Sequence, residues 1–158
     1  MIDVINLQRK IKLETDLYRT YVTELSSSVE EANGKTFSVA FVSDKRMIEL
    51  NKFFRGKDST TDVLSFAHEP EEFVRSTLFS APVEEQAEFC TLNKGFLGDI
   101  VISVEQAECQ AKENELSLEN EIKQLILHGL LHLCGYDHES DKGEMNRREL
   151  ELRKQLKI

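Results

Sequence analysis

Runs of apolar, β-branched and aromatic residues occupy residues 37–42, 62–67 and 97–104, and a shorter apolar/polar alternation occupies residues 2–5. Together they predict four strands. Between them the apolar positions change to helical spacing. Leu17, Tyr18, Tyr21, Val22, Leu25 and Val29 predict an amphipathic helix from about residue 13 that fades at Asn33-Gly34. Met47, Ile48, Leu50, Asn51 and Phe54 predict a second, capped by Ser43 or Asp44 and interrupted at Gly56. A third helical segment covers residues 105–115. Ser117 then caps a long helix, with Glu119 and Glu121 at its positive end. Its stripe of Leu118, Ile122, Leu125, Ile126, Leu130 and Leu133 has Leu127 and Leu131 on the other side, so its second half must be largely buried. The last helix, residues 141–156, alternates acids and bases and reads as a solvated face on which Arg147 and Arg148 can meet an anionic partner. This order predicts an α/β (α+β) fold: a small mixed sheet of four strands with about five helices.

One stretch breaks the pattern. Residues 69–93 lack a sustained period and are rich in glutamate, so a flexible acidic loop is expected there, unusually long for a compact domain. His68, at its start, is expected to be a surface or loop residue, with a place lining the site as the alternative. The 158 residues fit a single domain, 1–158. No apolar run approaches the roughly eighteen residues of a membrane span, and residues 1–6 lack the basic start and apolar run of a secretory signal. A cytoplasmic protein is expected. Cys90, Cys109 and Cys134 form no C-x-x-C pair and read as reduced thiols. The net charge of −9 argues against nucleic acid until its distribution is considered. Residues 45–57 carry Lys45, Arg46, Lys52, Arg55 and Lys57 against Glu49, whereas residues 69–89 carry six glutamates against Arg75. A basic surface on an acidic protein is therefore available.

The chemistry concentrates in residues 125–138, L-I-L-H-G-L-L-H-L-C-G-Y-D-H. On a helix, His128 and His132 stand one turn apart on one face. Gly135 can end that helix with a left-handed conformation, and the returning chain then presents His138 to the same point. Three imidazoles with a fourth position open form the ligand set of a catalytic zinc. Cys134 lies on the far side of the turn and is a poor fourth ligand. A hydrogen-bonded structural cluster is the bland alternative. The spacing follows the metzincin pattern H-E-x-x-H-x-x-G-x-x-H, but Gly129 stands where those peptidases carry their glutamate base.

The sequence resembles the YbeY family of bacterial rRNA maturation factors over nearly the whole chain except residues 69–93. The motif H-G-L-L-H-L-C-G-Y-D-H at 128–138 is similar to the family signature H-G-x-L-H-L-x-G-Y-D-H at every fixed position. A second block runs from Leu50-Asn51 through Phe54-Arg55-Gly56-Lys57-Asp58 to Thr61-Asp62-Val63-Leu64-Ser65-Phe66, and a third is Leu97-Gly98-Asp99-Ile100-Val101-Ile102-Ser103. Phe54 replaces the family's usual tyrosine, and Thr60 its usual proline, which is expected to loosen that loop.

The resemblance implies one zinc ion per chain on His128, His132 and His138, and a single-strand-specific endoribonuclease that acts in 3′-end maturation of 16S rRNA and in ribosome quality control. Its expected partners are single-stranded RNA or pre-16S rRNA and the small ribosomal subunit with its proteins, with neither DNA nor a membrane involved. Such a site needs no side-chain base, because zinc itself lowers the pKa of water toward neutrality. The planar guanidinium of Arg55 is the residue expected to pair with the charge that builds on phosphate oxygens; a surface salt bridge to Asp58 or Asp62 is its structural alternative. The basic residues nearby are expected to hold the RNA backbone, and Phe53 or Phe54 to stack a base, although at helical spacing either is more often core. Whether water or the RNA 2′-hydroxyl is the nucleophile stays open at this stage. Two other functions compete: a zinc peptidase, which Gly129 argues against, and a non-catalytic assembly factor that zinc merely stiffens.

Overall fold

The computed structural model describes residues 4–68, 95–137 and 139–158. The acidic segment, Cys90 and His138 lie outside the described residues. Four strands and five α-helices follow in chain order among the described residues: β1 (Val4–Asn6), α1 (Thr15–Ser28), β2 (Thr36–Val42), α2 (Asp44–Arg55), β3 (Val63–Ala67), β4 (Phe96–Ser103), α3 (Val104–Glu113), α4 (Leu118–Leu133) and α5 (Glu144–Leu156). The strands form one sheet in the order β1-β2-β4-β3. β1, β2 and β4 run parallel, while β3 joins β4 antiparallel. The fold is the expected α/β arrangement with a mixed sheet.

Strand alternation divides the core in two. Val39 pairs with Ile100 and Phe41 with Ile102. These four side chains are buried in the main core with α1 and α4. Val42, Leu64 and Val101 point to the opposite face and pack with Met47 of α2. Ile122, Ile126, Leu127, Leu130 and Leu131 of α4 are fully buried, each contributing about 1.5–3 kcal/mol of hydrophobic stabilisation. The helix expected to be apolar on both sides is thus the central one, as its pattern requires.

Several boundaries follow local chemistry. Ser43, not Asp44, caps α2 by accepting from the Arg46 amide, and Gly56 ends it with φ 68°. Ser117 caps α4 in the same manner. β4 stops at Ser103, whose hydroxyl caps α3, so Val104 opens a helix instead of closing a strand. The last helix starts at Glu144, three residues later than expected.

Candidate metal centre and its cleft

α4 ends in a Schellman turn. The amide of Tyr136 donates to the Leu131 carbonyl at 3.1 Å and that of Gly135 to the His132 carbonyl at 3.0 Å. Gly135 has φ 103°, the positive value this turn demands. The turn also fixes a side chain: the Tyr136 carbonyl comes back to within 3.0 Å of His132 Nδ1.

His128, one turn earlier, has its Nδ1 3.3 Å from both carboxylate oxygens of Glu149 on α5. Carboxylate and carbonyl are acceptors, so each Nδ1 carries its hydrogen, and in the neutral rings the Nε2 lone pairs are left to act. Those two Nε2 atoms lie 3.2 Å apart. Two ring-nitrogen lone pairs facing each other at that separation repel, and a proton or a metal ion between them removes the repulsion. A tetrahedral zinc with bonds of about 2.0–2.1 Å holds two ligating nitrogens about 3.3–3.4 Å apart, so the pair fits such an ion. The third expected ligand, His138, lies outside the described residues.

Glu149 was not singled out in the sequence, yet a signal was present. Met145, Glu149 and Leu152 are the buried residues of α5, so an acid occupies the apolar stripe. Burial pushes its carboxyl up, but the hydrogen bond from His128 and the neighbouring Arg153 guanidinium outweigh it and hold the pKa below the usual range. Arg153 donates to the same carboxylate at 3.0 Å.

The turn is fastened from behind. Tyr136 donates its hydroxyl to Glu31 at 3.0 Å, and Arg148 grips the same carboxylate at 2.8 and 2.9 Å. Arg148 thus supports the His132 turn, where the sequence had placed it on a face open to anions. Cys134 is half-buried, and burial pushes its thiol up to about 11, so it is no thiolate at neutral pH.

A cleft of about 620 Å³ opens beside the histidine pair, lined by Arg55, Thr61, Asp62, Val63, Ser65, Ala67, His128, His132, Leu133, Asp137 and Glu139. It runs along β3, an edge strand of the sheet among the described residues. Arg55 reaches this cleft from the end of α2, so the expected guanidinium and two of the three expected ligands share one cavity. Asp62, one candidate to tie down Arg55, instead accepts from the Val63 amide at 2.8 Å and from Gln110 at 3.2 Å. A second cleft of about 460 Å³ meets the first at His128 and Asp62 and includes Glu149 and Arg153.

The loop from α2 to β3 is tighter than expected. Thr60 donates to Asp44 at 2.8 Å, and the same carboxylate accepts from Ser103 at 2.6 Å and Gln106 at 2.9 Å. Burial raises the Asp44 pKa, but these hydrogen bonds lower it by more. The threonine in place of proline therefore pins this loop by its hydroxyl. His68 closes the end of β3: its amide donates to the Leu97 carbonyl at 2.8 Å, and its ring lies edge-on to Phe96.

Gly129 is explained by packing. A Cβ there would come within 3.0–3.1 Å of three side-chain atoms of the fully buried Ile100. The position that carries the base in metzincins is closed by the sheet.

The family model described as Endoribonuclease YbeY matches residues 3–157. A curated Endoribonuclease YbeY of Desulfitobacterium hafniense is 40% identical over 84% of this chain and 76% of its own length. That of Nautilia profundicola is 37% identical over 89% and 86%, and that of Bacillus thuringiensis 36% over 96% and 93%. Among solved structures, a Thermotoga maritima protein in solution superposes with a TM-score of 0.58 at 26% identity, covering 96% of this chain and 85% of its own.

Proposed function

Because this chain belongs to the Endoribonuclease YbeY family, we propose that it is a zinc-dependent, single-strand-specific endoribonuclease acting in 16S rRNA 3′-end maturation and ribosome quality control. The observation that carries the metal is the pair of Nε2 atoms 3.2 Å apart, each ring anchored through Nδ1, in the cleft that Arg55 also lines. His128 and His132 would hold the ion, with His138 as third ligand.

Bound there, zinc supplies Lewis acidity and lowers the pKa of water toward neutrality. The chain's own residues do the rest. Glu149 and the Tyr136 carbonyl fix both ring tautomers and aim the lone pairs. Arg55 pairs through its planar fork with the non-bridging oxygens of the scissile phosphate as charge develops there. Ile100 leaves no room at Gly129 for a peptidase base, which supports phosphodiester over peptide chemistry. No helix among the described residues is long and apolar enough to cross a membrane, in keeping with a cytoplasmic site of action beside the small ribosomal subunit and its proteins.

Elemental analysis of the purified protein, paired with cleavage of single-stranded RNA, duplex RNA and casein before and after chelation, tests this reading. Single strands alone should be cut, chelation should abolish cutting, and added zinc should restore it. Undiminished cutting after complete chelation refutes the metal. Normal rRNA processing in cells carrying a folded His128→Ala protein favours a non-catalytic assembly factor. A 2′,3′-cyclic phosphate on the product identifies the 2′-hydroxyl as nucleophile.

A further inference from the structure

α2 carries two adjacent phenylalanines that the core does not use. Phe53 is 81% exposed and Phe54 56% exposed, whereas the buried residues of this helix are Met47 and Asn51. Their rings are nonetheless held in place. Phe54 lies edge-on to Phe66 at 4.9 Å, Phe66 packs on the smaller core cluster, and Phe53 lies edge-on to Phe54 at 4.8 Å. The next residue, Arg55, lines the metal cleft, whereas Phe66 is on the face of β3 opposite Val63, Ser65 and Ala67, so the aromatic pair sits around the sheet edge from the cleft and is joined to it through Arg55.

The charge around the pair is mainly positive, with Glu49 and Asp58 the acids among five cations. Arg46 is bonded to Glu49 at 2.9 Å, while Lys45, Lys52, Arg55 and Lys57 have no ion pair among the described residues. A concentration of positive charge on a chain of net −9 matches a polyanion better than an ordinary protein surface. Aromatic faces flanked by cations are what an unpaired base and its backbone require, and a duplex, with its bases stacked inside, cannot use them.

We propose that Phe53 and Phe54, flanked by Lys52 and Lys57, form a stacking platform for an unpaired base of single-stranded RNA adjoining the scissile phosphate. This rests on the endoribonuclease reading and adds to it a binding site outside the metal cleft.

The chain contains no tryptophan, so Phe53→Trp creates a sole indole reporter at an exposed position. Titration with a 2′-O-methyl phosphorothioate single strand should quench it saturably, less so as salt rises, while the matching duplex should not. In cleavage assays Phe53→Ala should raise KM for single-stranded RNA about tenfold, with kcat and metal content retained, and Phe53→Tyr should restore KM. Unquenched indole fluorescence in the Phe53→Trp protein while anisotropy reports a bound strand overturns the platform, as does an unchanged KM in Phe53→Ala. Equal quenching by duplex also overturns it, and so does self-association that Phe53→Ala abolishes, which would assign the face to a second copy. If the native protein cuts no RNA, the nuclease reading fails by itself, while the quenching result still decides the platform.

Discussion

The carboxylate of Glu149 faces Nδ1 of His128 through both of its oxygens at 3.3 Å. An ionised acceptor behind a ligating imidazole raises the ring's basicity and holds its orientation. Glu149→Ala should therefore weaken zinc binding by about 10–100-fold, and Glu149→Gln by less, since the amide oxygen still accepts from Nδ1. Competition against a chelator of known affinity measures this. Native affinity in Glu149→Ala would remove Glu149 from the metal site.

Arg55 is predicted to act on turnover. Arg55→Ala should lower kcat about 10²–10³-fold with zinc content unchanged, the loss typical of one donor to developing charge. Arg55→Lys should recover only part, because an ammonium is a point charge without the bidentate fork. A full kcat in folded Arg55→Ala would return the residue to the surface salt-bridge alternative.

Local periodicity made much of this molecule legible. The strands and α4 announce themselves by spacing, and His128 and His132 fall on one face because four residues make one turn. What escaped is what depends on distant partners. Arg148 meets Glu31, 117 residues away, and nothing near Arg148 in the chain indicates it. Phe54 fits the helical stripe of α2 yet stays exposed, because this end of the helix lies against Phe66 on the edge strand and not over the centre of the sheet. Glu149 was readable in principle, since an acid in an apolar stripe needs a partner.

Acid should loosen the turn behind His132. The hydrogen bonds of Arg148, with a backbone hydrogen bond and that of Tyr136 adding to them, outweigh burial and hold the Glu31 pKa below its ordinary 4.5. A depressed carboxylate contributes stability that is complete above the unfolded value and is lost as pH falls through the folded one. Thermal unfolding should therefore show Tm falling below about pH 4.5, and Glu31→Gln should flatten that slope while lowering Tm at neutral pH. An identical acid slope in Glu31→Gln would assign the loss to other carboxylates, with Asp44 and its three hydrogen bonds the next to test.

Gly129 poses two opposed effects whose balance is measurable. A glycine inside a helix costs about 1 kcal/mol relative to alanine, so propensity alone makes Gly129→Ala stabilising. Against this, the new methyl would press within 3.0–3.1 Å of three atoms of Ile100, which is fully buried in the sheet and has little room to yield. Overpacking of that kind costs about 1–3 kcal/mol, so the net expectation is a loss of about 0–2 kcal/mol on urea unfolding. Ile100→Val removes Cδ1, one of the three atoms that the alanine would strike, and so relieves part of the clash. The double variant should thus be more stable than the sum of the two single losses, a coupling that a double-mutant cycle reads directly. Gly129→Glu should unfold or expel the helix from the sheet and gain no casein-cleaving activity. A Gly129→Ala protein more stable than the parent would show that Ile100 gives way and that something other than packing keeps this position without a side chain.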